Sequence, residues 1–556
     1  MKIAEVVVRI LEREGIEVAF GIPGSSINPV YKYLGDSKIK HYNARHEEGA
    51  VHAADGYYRS SGKMAVAIAT SGPAATNFVT GLYTAQIDSM PLIALTGQNT
   101  TSQLGKEAFQ CVDIVSIAKP IVKAAYCLTV PNDVPKIMKE AFRLAREGRP
   151  GPVLLDLPLD IQQADIDFNI DDYIPATIDT PKPDIQKIDQ AIDMILAAKS
   201  PVMLMGGGVI LAGANNEARQ LAEFLSLPII ETYMAKGAVP YDHPLYVGHA
   251  GIQVGGPLGN KILSEADLVL GIGCRFTDRH TGDIGVYTKG KKFIHIDIEP
   301  TQIGKIFVPD LGIVSDAKLA IEAILDRLAA RHVERQPDYR IEVLPEWKKQ
   351  YTRKTYFDNI PIKPQRVFHE INEFYDDDTI FTAGCGLVQI WSGQFQRARK
   401  PRRYIPSGGA GTLGYELPAA IGAKIANPES QAVAVVGDGG ILFMIEELAM
   451  ACHYQIPITV IIVNNGYLSL IRQNQKYGYS FEHAVDLWYN DGTYTDFVKV
   501  AEGFGAKGER IFKPEDIKSA LQRAKDANCP YVIDVIVERQ TDCSMGSSIE
   551  NVKEYE

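Results

Sequence analysis

The segments Ala432-Val-Ala-Val-Val-Gly437-Asp438-Gly439 and Ile458-Thr-Val-Ile-Ile-Val463-Asn464-Asn465-Gly466-Tyr467 are two apolar runs that each stop on polar, turn-forming residues, with 24 residues between Gly439 and Asn464. Short apolar runs joined by a segment of helical spacing predict two parallel strands and their crossover, as in an α/β domain. Their carboxyl ends then carry one acidic oxygen (Asp438) and one amide oxygen (Asn465) beside glycine turns. Hard oxygen ligands next to turns that let phosphate approach suit a magnesium ion holding a diphosphate. Read blandly, the same residues are polar turns capping two buried strands.

The pattern Gly-Asp-Gly, 24 residues, Asn-Asn resembles the motif of thiamine diphosphate enzymes. The resemblance implies that Asp438, Asn465 and the backbone carbonyl of Tyr467 bind Mg²⁺, and that Gly437, Gly439 and Gly440 lie against the diphosphate.

The rest of the chain sets the frame. At 556 residues it exceeds one core, and roughly 100 to 200 residues per domain suggests three domains. Apolar residues make up 46% and charged residues 22%, which reads as a soluble globular protein. The 57 basic against 68 acidic residues, with no Lys/Arg-dense stretch, argue against a nucleic-acid surface. Seven scattered cysteines lack CxxC or His-paired spacing, so they read as reduced structural thiols and not zinc ligands. Glu5, Arg9 and Glu12 interrupt any signal-peptide core, and no apolar run reaches the roughly 18 residues of a membrane span. A cytoplasmic location is expected.

Three doubly wound parallel-sheet α/β domains are predicted. In the first, residues 1–165, strands are expected at Val18–Gly21, His41–Ala44 and within 64–72, 91–97 and 152–158. An acidic, Pro-punctuated linker follows, with Asp165, Asp167, Asp171 and Asp172. The second domain, 186–332, has strands at 202–205, 268–272 and 293–298; a charged connecting stretch, Arg331 to Arg353, leads to the third, 361–540, with strands at 379–382, 432–436, 458–463 and 531–537. Residues 541–556 form a tail that either frays or closes a site. The outer domains look alike in size and strand count, without a residue-level repeat that proves kinship.

A second constellation is Arg45-His-Glu-Glu-Gly-Ala50, which follows a strand and opens a helix. A zinc-protease reading needs His where Ala50 stands, so it fails. Glu47 is either a solvated first-turn residue favoured by the helix dipole or, by the resemblance, the acid that contacts N1′ of the aminopyrimidine. The resemblance further implies that Leu413, in Gly408-Gly-Ala-Gly-Thr-Leu-Gly414, is the bulky residue that bends the cofactor, with Gly411 beside it. It assigns Pro23, Gly24 and the turn Thr70-Ser-Gly-Pro73-Ala-Ala-Thr-Asn77 to the pyrimidine end, and Gly386-Leu387-Val388 to the diphosphate. Gly409-Ala-Gly411-Thr-Leu-Gly414 is also a GxGxxG, but a nicotinamide dehydrogenase leaves Asn464-Asn465 and Glu47 unexplained. Because the family joins Glu and metal motif across subunits, a homodimer or homotetramer is implied.

In the middle domain, Gly206, Gly207, Gly208, Thr232, Met234, Gly248, His249, Gly273, Arg275, Arg279, Asp297, Ile298, Asp316 and Ala317, with Arg149, resemble the FAD site of the acetohydroxyacid synthase group, where flavin is structural. Relatives without flavin keep the same domain. Within that group the similarity is closest to the glyoxylate carboligases, carried by His295–Gly304, Pro309–Ala317, Phe357–Arg366, Val463–Gln473 and Ser544–Val552. Asn474 stands where acetohydroxyacid synthases often carry Trp, and Leu470 and Ile471 map to the substrate-facing apolar pair. The expected reaction joins two glyoxylates to tartronate semialdehyde and CO₂, with Gln110 and amides near Gly24–Ser26 at the acceptor. One position departs: the similar carboligases have Val where this chain has Glu47, which leaves as the alternative an acetolactate synthase acting on pyruvate or another small 2-oxo acid carboligase or decarboxylase, while glyoxylate carboligation stays ahead because several separated segments agree against one position. A non-enzymatic thiamine-binding module needs neither Glu47 nor Leu413.

Overall fold

The computed structural model describes residues 1–333 and 337–554. Among them, strands form three six-stranded sheets in which every neighbouring pair runs parallel. The first holds β1 (Val18–Gly21), β2 (Lys40–Asn43), β3 (Val66–Ala69), β4 (Leu92–Gln98), β5 (Ala124–Cys127) and β6 (Pro152–Pro158), in the order β2-β1-β3-β4-β6-β5. The second holds β7 (Pro201–Met205), β8 (Ile229–Glu231), β9 (Tyr246–His249), β10 (Leu268–Ile272), β11 (Lys292–Asp297) and β12 (Leu311–Val314), in the order β9-β8-β7-β10-β11-β12. The third holds β13 (Ile380–Ala383), β14 (Tyr404–Pro406), β15 (Ala432–Gly437), β16 (Thr459–Asn464), β17 (Lys507–Ile511) and β18 (Tyr531–Ile536), in the order β14-β13-β15-β16-β18-β17.

The first and third orders are identical, 2-1-3-4-6-5 within each domain. The two outer domains thus share one topology. The middle order is 3-2-1-4-5-6, the arrangement that opens a dinucleotide crevice where strand order reverses. The same rule locates a ligand between β1 and β3 in the first domain and between β13 and β15 in the third.

Five of the six strands missing from the sequence reading, β5, β9, β12, β14 and β17, lie at sheet edges. With one side open to water they need no continuous apolar run, and β5 and β17 are largely half-buried. The sixth, β8, is interior but only three residues long. A second correction concerns the stretch Arg331 to Arg353. It holds a helix, Tyr339–Gln350, whose Leu344 joins the middle-domain core and whose Arg340 is fully buried against Asp338 and the Pro201 carbonyl. Charges at its exposed positions masked that stripe. Residues 334–336 of this stretch, and 555–556 of the tail, lie outside the described residues. The described tail docks: Ile549 is buried in the middle-domain core and Ser548 bridges Gly282. All seven cysteines are free, and no helix among the described residues is long and apolar enough to cross a membrane.

One apolar core runs continuously from the first domain into the third, from Phe20 and Val51 through Leu417 and Ala420 to Val460. The helices Glu47–Ser61 and Glu416–Ala426 cross there with their backbones in contact, because a Cβ on Gly56 would overlap the Ala419 carbonyl and one on Gly422 the Ala53 carbonyl. Backbone cannot yield as a side chain can. Gly422→Ala is therefore expected to destabilise the protein by about 3 kcal/mol, the upper part of the overpacking range, read as a lowered urea midpoint.

Candidate active site

At the carboxyl ends of β1 and β3 the first domain gathers its polar loops. Gly24 packs against Thr70, the Ser26 N–H donates to Thr70 Oγ1 at 3.3 Å, and the Ser26 and Ser71 hydroxyls lie 3.0 Å apart. A Cβ on Gly72 would stand 2.7 Å from that of Gln110, so Gln110 sits directly on the turn that leads through Pro73 to Asn77. Asn77 Nδ2 donates to Glu47 Oε2 at 2.8 Å. Glu47 opens the helix Glu47–Ser61, whose cap is His46: its Nδ1 accepts from the Glu48 N–H at 3.1 Å. With 9% of its surface exposed, Glu47 is not the solvated first-turn carboxylate of the bland reading. Gly24, Thr70, Gln110, Asn77 and Glu47 are thus linked through the turn 70–77 that holds Pro73, with Pro23 next to Gly24 in the chain.

The third domain builds a matching half. In the β15–β16 pairing Gly437 faces Val463, so Asp438 and the Asn464-Asn465 pair emerge side by side from neighbouring strands. Asp438 is 4% exposed, and burial pushes its carboxyl up to about 7, an effect an adjacent cation reverses. The two asparagines differ. Asn464 is committed to the fold, donating to Asp534 at 2.9 Å, whereas Asn465 Oδ1 accepts from Ser469 Oγ at 2.8 Å and turns toward the Tyr467 backbone. Gly466 between them has φ +69°, and a Cβ there would overlap the Trp488 indole. Among the described residues no three His, Cys, Asp or Glu side chains cluster as a metal site. One carboxylate, one amide oxygen and one carbonyl form a different donor set, suited to a cation that shares its shell with phosphate.

Gly386 precedes the helix Leu387–Phe395, whose first N–H groups are available at its N-terminus. Leu387 and Val388 themselves are core residues, so only their backbone can serve a ligand. Gly411 lies 3.5 Å from Cys385 Sγ by its would-be Cβ, and Leu413 borders Gly440, which brings the loop 408–414 onto the Asp438 turn. Leu470 leans on the domain core while Ile471 next to it is 51% exposed.

Where the middle-domain strand order reverses, between β7 and β10, a cavity of about 440 Å³ opens. Gly207, Gly208, Gly273, Arg275, Arg279, Asp297, Ile298, Asp316, Ala317, Thr232, Met234 and Arg149 line it. Burial first, then the nearby Arg275 guanidinium, hold Arg149 below the usual arginine range, so the cavity wall carries mutually repelling positive charge that an anion relieves. Three of the expected residues do not line it. Gly206 packs under it against the Gly273 carbonyl; Gly248 and His249 end β9, where His249 Nδ1 is 3.1 Å from the Glu231 carbonyl. Gly248 and His249 lie on an edge strand that apolar patterning does not reveal. The Asp316 carboxylate also has a local task, accepting the Lys318 and Leu319 N–H groups as a helix cap.

The chain matches the thiamine pyrophosphate enzyme N-terminal TPP binding domain over residues 1–117, the central domain over 188–324 and the C-terminal TPP binding domain over 384–535. It is 44% identical to a glyoxylate carboligase of Escherichia coli O157:H7, over 100% of this chain and 96% of that one. The chain belongs to the thiamine pyrophosphate enzyme family. Other relatives are a probable acetolactate synthase large subunit of Methanocaldococcus jannaschii, 41% identical over 97% of this chain and 92% of that one, and an acetolactate synthase large subunit of Corynebacterium glutamicum, 40% identical over 96% and 86%.

As a member of that family, the chain has outer domains that supply the two TPP-binding halves, and the structure adds residues that sequence reasoning missed. Asp88 accepts the Gly409 N–H at 2.7 Å and lies 4.0 Å from Arg275, while Arg279 donates to the Gly408 carbonyl at 3.2 Å. The middle-domain cavity and the loop carrying Leu413 therefore share supports. Glu416 is fully buried between Gly384 and Gly440, and burial raises its carboxyl to about 8 against the opposing pull of nearby backbone N–H groups. Glu447 is fully buried too and contacts the backbone before Glu47. Glutamates that open a helix carry no motif signal; a neighbourhood of small residues is the sole hint.

Proposed function

We propose that the protein is a thiamine diphosphate-dependent carboligase that converts two glyoxylates and one proton to tartronate semialdehyde and CO₂. The full-length 44% identity to a glyoxylate carboligase is the observation that carries this reading, and the two half-sites, one around Glu47 and one around Asp438, support it. Thiamine diphosphate, when bound, supplies the electron sink for decarboxylation and for joining the remaining fragment to an aldehyde carbon. Asp438, Asn465 and the Tyr467 carbonyl would hold Mg²⁺, with the turns at Gly386 and Gly437–Gly440 against the diphosphate. Glu47, oriented by Asn77, would hold and return a proton at the aminopyrimidine N1′. Leu413 would press on the cofactor from the loop at Gly440, and Leu470 with Ile471 would keep the pocket small.

Gln110 and the amides near Gly24 would face the acceptor's oxygens. Two subunits are needed in this reading, one giving Glu47 and the other Asp438. The middle cavity fits a dinucleotide such as FAD: its strand order, glycine floor and repelling arginines all suit a diphosphate. The net reaction takes no electrons from outside, so FAD would act structurally.

Glu47 itself favours a second reading, acetolactate formation from pyruvate, since similar carboligases carry Val at this place. Incubating the protein with thiamine diphosphate, Mg²⁺ and each oxo acid, then identifying the product, separates the two. Tartronate semialdehyde from glyoxylate is expected at the higher kcat/KM; acetolactate from pyruvate at the higher value selects the second.

A further inference from the structure

Glu447 belongs to the third domain, on the helix Glu447–His453, yet its carboxylate serves the first. Its Oε1 accepts the backbone N–H groups of Arg45 and His46, each at 2.9 Å. These residues lead directly into Glu47. They precede the first turn of their helix, which cannot satisfy them itself. Because Glu447 is fully buried, no water competes for the two bonds. Gly49 makes the approach possible, since a Cβ there would overlap Glu447 Oε1. Asn77 fixes the far end of the Glu47 side chain, and Glu447 fixes its main chain.

We propose that Glu447 is a positioning residue for Glu47: by binding the two N–H groups before it, Glu447 sets the backbone from which the Glu47 carboxylate reaches the aminopyrimidine. The inference rests on the role given to Glu47 above. In the two-subunit arrangement, Glu447 also ties the segment carrying Asp438 of one centre to the Glu47 of the other.

Full-length wild type, Glu447→Gln, Glu447→Asp and Glu447→Leu, each with thiamine diphosphate and Mg²⁺, test it through two readouts. One is backbone amide deuterium exchange at Arg45 and His46; the other is hydrogen exchange at C2 of the bound cofactor. The glutamine oxygen can accept the same two bonds, so Glu447→Gln keeps amide protection and C2 exchange within about threefold of wild type. Glu447→Leu loses the protection and slows C2 exchange about 10- to 100-fold, the scale set by two lost buried hydrogen bonds. Should the leucine variant not fold, Glu447→Asp, one methylene short, carries the test with partial loss of both signals. Wild-type amide protection in Glu447→Leu or Glu447→Asp overturns the proposal. So does a glutamine variant as impaired as leucine, which assigns the effect to charge. Product identity enters neither readout, and loss of amide protection is visible even if Glu47→Ala shows that Glu47 has no part in C2 exchange, so the two failures are distinguishable.

Discussion

Replacing Glu47 by alanine is expected to slow hydrogen exchange at C2 of bound thiamine diphosphate, and turnover with it, by about 10²–10⁴-fold, the usual cost of losing a positioned acid–base group. The expectation follows from where the carboxyl is held. Glu47 is almost enclosed, its Oε2 takes a 2.8 Å bond from Asn77, and Gln110 and Ser26 stand on the neighbouring turns. Cofactor affinity should change little, because in the proposed arrangement the other TPP-binding domain would grip the diphosphate end. Rapid-quench measurement of deuterium incorporation checks the first point and titration calorimetry the second. Exchange in Glu47→Ala at the wild-type rate removes the acid–base role. Glu47→Val, the residue that the resemblance to the carboligases implies here, should slow C2 exchange while the product from glyoxylate stays the same.

Asp438→Ala is expected to weaken Mg²⁺-dependent binding of thiamine diphosphate by about 100-fold or more, since even a partner outside the coordination shell is worth about 10- to 100-fold in metal affinity. Asn464→Ala serves as the contrast. Its amide is bonded to Asp534 and faces the fold, so the loss should appear as about 1–3 kcal/mol of stability, with cofactor affinity nearly intact. Asn465→Ala should resemble Asp438→Ala. Equal cofactor losses at both asparagines would mean that the division of labour between them is wrong. Titration calorimetry at fixed Mg²⁺ together with urea unfolding distinguishes these outcomes.

Much of this was legible before any coordinates. The interior strands of the outer sheets, such as β4, β15 and β16, are near-continuous apolar runs because helices cover both their faces. Edge strands such as β5 and β17 need no such run, and they went unread. Gly248 and His249 end another such edge strand, β9, and charges on the wet side of the helix Tyr339–Gln350 hide it from sequence patterning.

Asp438 and Asn465 stand out as candidates in the amino-acid string because each follows an apolar strand run directly, whereas Glu47 and Leu413 are singled out only by the resemblance to the family. Strand order, the shared core of the outer domains and the separate duties of Asn464 and Asn465 came only with the folded chain. So did the contact of Glu447 with Arg45 and His46, some 400 positions away. The physical reason is range: turns and strand periodicity are short-range properties, whereas buried carboxylates and backbone contacts at glycine acquire their roles from whatever packing brings against them.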